Sequence, residues 1–388
     1  MYKIITFLVL LFHVQSFLWA QVTPEQDILG RDDANVITTA TPFLLIAPDS
    51  RAGALGDAGA ATSPDANSQH WNPSKLMFAE SDFSVSLSYT PWLNTLVDDM
   101  SLSYLSGYKK LNDRQALGFS LLYFSLGSIS FTDETGFLLK EFNPNEFALD
   151  ASYILLLSKY FSGGVTLRYI YSNLTGGQTI NATEESHAGH AVAGDISFYY
   201  HKSFTVKDKE HKFALGTHIS NMGTKISYTE SRQNFIPINW RLGASYKITL
   251  DDYNNVTFVT DLNKLLVPTP PVYDPADPTK ILAGKDPDVS TAVGIFQSFS
   301  DAPNGFQEEM REITYSLGME YWYSEKFAIR AGYFNEHMTK GNRKYFTLGL
   351  GLKLNVFSLD FAYLIPTMQR NPLQNTLRFT LGLNFDKL

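Results

Sequence analysis

The 388-residue chain contains no cysteine. A chain of this size without disulfides must be held together by burial or by a membrane. Basic residues are in the minority, 31 Lys and Arg against 39 Asp and Glu, for a formal net charge of −8. Phosphate contacts need Lys and Arg, so nucleic acid is not an expected partner. After Ala20 there is no run of about 20 apolar residues, which excludes a membrane-spanning helix but not a membrane barrel. No G-x-S-x-G, H-E-x-x-H or P-loop pattern occurs, so no enzyme activity, catalytic residue, metal or cofactor is expected. Gly53, Gly56 and Gly59 follow no strand, and their even spacing reads as packing. His187 and His190, beside Glu184 and Glu185, read as a solvated loop rather than a metal site.

What is present begins with a leader. Lys3, the apolar run Ile4 to Phe12 and the exit Phe17-Leu18-Trp19-Ala20 have the layout of a secretory signal peptide over residues 1–20, with cleavage expected after Ala20.

Beyond residue 80 the dominant pattern is alternation. "FSVSLSY" sets Phe83, Val85, Leu87 and Tyr89 against Ser84, Ser86 and Ser88. The same period of two recurs in Val165, Leu167, Tyr169 and Tyr171, in Ile313, Tyr315, Leu317, Met319 and Tyr321, and in the last such segment, "LRFTLGLNF". Strand side chains point to opposite faces in turn, so one lipid-facing row has this period. Counting such segments predicts an all-β fold of about fourteen antiparallel strands, each about 9–11 residues long as a tilted membrane strand requires. Aromatic residues gather at strand ends, as interfacial girdles do: Tyr89 with Trp92, Tyr199 with Tyr200, and Tyr321 to Tyr323. A soluble sandwich or propeller also alternates, but with strands averaging about 5–6 residues.

The connections alternate between short and long, with one of middling length at Ser203–Lys212. Outer-membrane barrels have short periplasmic turns and longer external loops. This parity predicts that both termini are periplasmic and that the segment before the first strand starts on that side. Such a barrel is too wide for its own side chains to fill. Residues 21–80 are therefore expected to supply a lumen plug ahead of a barrel over 81–388. Pro42, Pro48, Pro64 and Pro73 break any long helix there, and Phe43, Leu44, Trp71 and Leu76 are too apolar to be left in water. A disordered tail suits residues 21–39 better. The inward parity also carries Arg168, Arg241, Lys247, Arg330, Lys353 and Arg378 against Asp150, Asp195, Asp261, Glu320 and Asp360. The signs nearly balance, whereas a charge-selective pore shows rings of one sign.

The stretch "PFLLIAPDSRAGALGDAGAATSPDANSQHWNPSKL", Pro42 to Leu76, carries a family likeness. Its ending, Trp71-Asn72-Pro73-Ser74, resembles the plug motif of the fourteen-stranded long-chain fatty-acid transporters (FadL-like), which have Asn-Pro-Ala where this chain has Asn72-Pro73-Ser74. The whole stretch more closely resembles the PorV (LptO) family of the Bacteroidetes type IX secretion system. That resemblance implies a non-enzymatic protein of a Gram-negative, Bacteroidetes-like outer membrane. It also implies partners: the C-terminal signal domains of secreted cargo, a giant translocon barrel, a cell-surface attachment complex and outer-membrane lipid.

One further segment invites a role. Residues 267–312 hold seven prolines and an excess of acids, among them Asp274, Asp277, Asp286 and Asp288. A long loop of this kind is usually functional or disordered. It reads either as an acidic docking arm, stiffened by proline, or as a protective surface loop; the resemblance favours docking. The other function class left open is an outer-membrane channel for long-chain fatty acids or other hydrophobic small molecules.

Overall fold

The computed structural model describes residues 34–93, 97, 99–132, 135, 137–177, 179–180, 184–230, 232–368 and 371–386. The expected signal peptide over 1–20, and residues 21–33 after it, lie outside the described residues. Fourteen strands close into a barrel: β1 (Phe83–Pro91), β2 (Ser101–Asn112), β3 (Gln115–Ser125), β4 (Asn145–Ser158), β5 (Phe161–Asn173), β6 (Gly189–Val206), β7 (Lys209–Gly223), β8 (Asn239–Thr249), β9 (Asn254–Leu265), β10 (Thr314–Tyr323), β11 (Phe327–Asn335), β12 (Lys344–Leu354), β13 (Phe357–Pro366) and β14 (Leu377–Phe385). Each pairs antiparallel with its neighbours in sequence, and β1 closes the ring on β14 with Leu87 opposite Leu381 and Tyr89 opposite Phe379. Closure leaves no free edge, which is the condition for a sheet to sit in lipid.

Polarity across the wall is reversed relative to a water-soluble sheet. In β1, Ser84, Ser86 and Ser88 are buried while Leu87 is 54% exposed. In β5, Thr166 and Arg168 are buried while Val165 and Leu167 are exposed. The apolar row faces out and the polar row faces the lumen, as in an outer-membrane barrel. All eleven charged residues assigned inward by parity occupy the lumen row with the buried serines and threonines.

One end of the barrel carries tight turns at 113–114, 159–160, 207–208, 250–253, 324–326 and 355–356. The middling connection becomes one of them. β6 and β7 run on to a two-residue turn at Lys207 and Asp208, with φ 48° and 61°, the left-handed pair that matches strand twist in a hairpin. The opposite end carries the longer connections, four of which contain small two-stranded ribbons. The longest, 266–313, is not structureless: Val272–Asp274 pairs with Asp277–Ala283, and two short helices follow, Thr291–Gln297 and Phe306–Arg311.

The segment before β1 fills the lumen. It has no long helix, only single turns at Ser50–Gly53 and Ser68–Trp71 and two 3-10 turns opened by Pro42 and Pro73. Its described part starts at the long-connection end. Asn35 N–H donates to the Thr339 carbonyl (2.9 Å) and Ala40 N–H to the Phe235 carbonyl (2.9 Å), both at the long-connection end. Phe43 and Leu44 then join an apolar cluster with Leu102, Phe124, Ile170 and Ile238. The chain crosses the barrel, packs Leu76 and Met77 against Tyr108, Ala116 and Ile154 near the short-turn end, and enters β1 there. The described chain thus starts at one end of the barrel and finishes, with β14, at the other. The expectation that the segment starts on the short-turn side concerns residues outside the described ones; from Asn35 onward the chain begins under the long connections. The cause is apolar burial: Phe43 and Leu44 find their cluster only beneath the long connections.

Phe379 and Leu381 are exposed on the outward face of the closing strand. Replacing either with Arg should cost about 2–4 kcal/mol near the bilayer midplane. The loss is expected as a lower urea midpoint of the folded barrel in liposomes; an unchanged midpoint and wild-type heat-modifiability on gels would contradict the lipid-facing assignment.

Candidate functional site

The plug lies against the wall backbone to backbone. Glycines on the lumen row receive it: Gly216 in β7, Gly318 in β10 and Gly332 in β11 meet plug backbone, and Gly243 in β8 and Gly349 in β12 meet the methyl groups of Ala60 and Ala54. A Cβ on Gly332 would overlap the Gly56 amide, and one on Gly216 the Ala60 carbonyl. Glycine permits this approach because it has no side chain to stand off the incoming chain. These wall glycines were not singled out by the sequence reading. Their signal was available, since each falls on the inward parity of its strand.

The motif residues anchor the plug. Trp71 is buried; its indole N–H donates to Asp49 Oδ1 at 2.6 Å, and the Arg241 guanidinium lies 4.6 Å from its ring centre. Asn72 Nδ2 donates to the Ala60 carbonyl within the plug and to the Phe198 carbonyl of β6, both at 3.0 Å, while Asn72 Oδ1 accepts from Ser74 N–H at 3.1 Å. Pro73 opens the last 3-10 turn, where its missing N–H costs nothing. The Ser74 hydroxyl reaches the Ser197 carbonyl at 2.8 Å, and the Ser74 carbonyl accepts from the Ser162 hydroxyl at 2.6 Å. An Ala at this position would have no hydroxyl to make the first of these bonds.

Charged groups pin the rest. Arg51 of the plug meets Glu320 and Asp65, each at 2.9 Å. Arg330 meets the same Glu320 at 2.7 Å and Asp360 at 2.6 Å. Arg168 sits between Asp150 (2.6 Å) and Asp195 (3.2 Å), and Asp261 accepts the Gly59 and Ala60 amides at 2.7 and 2.8 Å. Lys75, fully buried, donates to the Gly59 carbonyl at 2.6 Å and to the Thr62 hydroxyl at 2.9 Å. The arginines are answered by carboxylates, Asp261 and Lys75 by neutral polar groups, and no ring of one charge forms along the lumen among these groups.

A cavity of about 420 Å³ remains beside the plug towards the long connections. Ile37, Leu45 and Phe334 give it apolar walls, and Arg241, Glu336 and Arg343 give it charged ones.

The four carboxylates expected to form a docking surface separate in the fold. Asp274 and Asp277 cap the tip of the hairpin, with Lys280 at 3.9 Å from Asp274. Asp286 caps the Asp288 amide, and Asp288 reaches Lys225 at 3.2 Å. Asp277, Asp286 and Asp288 are exposed, and Asp274 half-buried. The other four acids of the connection turn inward, which the sequence reading did not anticipate. Lys264 lies 3.0 Å from Glu309 and 2.6 Å from Glu312; Lys340 lies 2.6 Å from Glu308 and 3.0 Å from Glu312. Burial opposes ionisation of Glu308, but the Lys340 ammonium and the Asn304 amide outweigh it and hold its carboxyl below the usual range. Burial pushes Asp301 up, despite the amide it accepts from Thr269. Among the described residues, no three His, Asp or Glu converge as a metal site; His190 instead bonds the Tyr169 hydroxyl at 2.7 Å.

Comparison with known proteins places these features. The family model described as "Type IX secretion system protein PorV" matches residues 30–272, more than half of the chain and all of the described part of the plug. The match ends at the start of the longest connection, short of its hairpin and helices and of β10 to β14. No curated protein matches. Among solved structures, a TodX deltaS2S3 mutant monoaromatic hydrocarbon channel has a TM-score of 0.51 at 11% identity, covering 87% of this chain and 99% of that one. The Ralstonia pickettii toluene transporter TbuX gives 0.44 at 13%, covering 88% and 98%. A Pseudomonas aeruginosa FadL homologue gives 0.43 at 11%, covering 91% and 99%. At such identities the likeness to the first concerns the fold alone.

Deleting residues 60–74, the stretch that meets Gly216 and Gly243, should raise single-channel conductance in planar bilayers from near zero to a porin-like level. Gly332→Val should raise it too, by displacing the plug backbone at Gly56. A folded deletion variant that stays closed would show that the lumen is sealed by something else.

Proposed function

The chain belongs to the PorV family of type IX secretion system proteins, and from that premise we propose that it handles secreted proteins at the outer membrane rather than conducting small molecules. In this reading it binds the C-terminal signal domain of cargo. It associates with the translocon barrel and carries cargo to the cell-surface attachment complex. The long connections face the cell surface, and β14 ends on the periplasmic side. The observation that carries the reading is the family match across the plug and the first nine strands. The pinned plug supports it: a lumen crossed by buried ion pairs and backbone contacts suits a docking platform better than an open conduit. Exposed acids on the longest connection suit a basic partner surface.

The second reading is a channel for long-chain fatty acids or other hydrophobic small molecules. The cavity of about 420 Å³ with its apolar wall favours it. Uptake of a fatty acid into liposomes holding the purified protein, with no capture of a cargo signal domain, would favour this reading over secretion.

The direct test is capture of an isolated cargo signal domain by the full-length protein in detergent or nanodiscs. Replacing Asp274, Asp277, Asp286 and Asp288 together with Asn should leave the barrel folded, because no barrel strand is touched. Capture of a protein partner should slow and lose part of its salt dependence, since complementary charge acts mainly on the association rate. Unchanged rates at low and physiological salt would remove these acids from the docking surface.

A further inference from the structure

The second half of the longest connection, residues 291–311, is built inside out. Its acids Asp301, Glu308 and Glu309 are buried, and so is Glu312 just beyond. Most of its large apolar side chains are not, Ile295 excepted, which packs on the apolar cluster. Phe296 is 79% exposed and Phe306 78%, more than any apolar residue of the barrel's outward rows, and Val293, Phe299 and Met310 are exposed as well. Val293 and Phe296 are three apart on the first helix and Phe306 and Met310 four apart on the second, so each helix shows one apolar face. No fully exposed charge lies between Thr291 and Met310. Singly exposed apolar residues are ordinary, but helix faces stripped of charge mark a surface that meets an apolar medium.

The place where this segment rests identifies the medium. Phe299 packs on Trp240, with ring centres 6.2 Å apart. Trp240 alternates in β8 with Asn239 and Arg241, which line the lumen cavity. It therefore belongs to the outward row, at the end where tryptophan girdles meet the membrane boundary. Lys264 likewise alternates with the cavity-lining Asn263 and Leu265 and lies two residues beyond the outward, exposed Leu262. A bare ammonium there would interrupt the lipid-facing band. Instead Glu309 and Glu312 neutralise it, and the Phe299 ring lies 5.9 Å away. The segment thus straddles the rim: Glu308 holds Lys340 and Asn35 at the lumen mouth, while Glu309, Glu312 and Phe299 meet the outward-row Lys264 and Trp240 and bury that charge.

We propose that residues 291–311 form a lipid-seated foot: the exposed faces of the two helices, led by Phe296 and Phe306, sit in the boundary of the leaflet next to β8 and β9. The occupant is bilayer lipid rather than a protein partner or a second copy of this chain. The inference rests on the barrel's place in the membrane and is independent of the secretion role. The foot would fix the root of the longest connection against the membrane while the acidic hairpin 272–283 stays in water.

The absence of cysteine permits a direct test. Phe296→Cys and Phe306→Cys, each carrying one nitroxide, are read in the full-length protein in phosphatidylcholine vesicles against a lipid-facing reference, Leu262→Cys, and a water-facing one, Asp277→Cys. Accessibility to dissolved oxygen, which partitions into lipid, is compared with accessibility to a water-soluble nickel chelate. The foot predicts a shift to oxygen over nickel at both positions, matching Leu262→Cys. Nickel-dominated access like that of Asp277→Cys overturns it. Loss of access to both reagents also overturns it, because the side chains would then be covered by protein, including a second copy. If either variant fails to insert, Val293→Cys and Met310→Cys give the same reading from the same two faces.

Discussion

Backbone meets backbone across the lumen at Gly216, Gly318 and Gly332, and the remaining features of the interior depend on that approach. A ring of fourteen strands is wider than side chains alone can fill, so the inward polar row needs either water or more protein. A plug held off by even one methyl group at each crossing could not bring Gly59 and Ala60 to Asp261, or Asn72 to the Phe198 carbonyl. The small residues of the plug and the glycines of the wall are two halves of one steric condition.

The ion pairs follow from that fit rather than cause it. Buried pairs add little net stability, because desolvation offsets much of the attraction, yet they penalise any arrangement that separates them. Glu320 shared by Arg51 and Arg330, and Arg168 held between Asp150 and Asp195, therefore specify which part of the plug faces which strand. The same rule operates at the rim, where three glutamates close on Lys264 and Lys340 and tie the longest connection to the barrel. Asn35 reaches Glu308 in that cluster at 3.0 Å. The start of the plug and the root of the connection are thus held by the same carboxylate.

The reversal of polarity across the wall recurs in the connection. In β1 and β5 the serines, threonines and arginine turn inward and the apolar row outward, because lipid can satisfy no hydrogen bond. In residues 291–311 the acids turn inward onto lysines and the phenylalanines outward. A loop in water would do the opposite, and so the 267–312 segment divides into an acidic, solvent-facing hairpin and an apolar remainder.

Much of this was legible in the sequence. "FSVSLSY" and "LRFTLGLNF" reveal their lipid-facing rows because a strand's side chains alternate strictly, so composition alone separates the two faces. All fourteen strands, the inward placement of Arg168, Arg330 and Asp261, and a plug ending at Trp71-Asn72-Pro73-Ser74 follow from that local rule and from the need to fill a wide lumen. The middling connection at Ser203–Lys212 was less legible, because Lys202 interrupts the outward row before Phe204 and Val206 resume it. The direction of the plug, the glycines that receive it, and the inward turn of Glu308, Glu309 and Glu312 were decided only by tertiary structure. Each depends on a partner hundreds of positions or several strands away: Ser50 on Thr380, Gly56 on Gly332, Asn35 on Glu308. Periodicity reports which way a side chain points from its own strand, but not what the closed barrel brings to meet it.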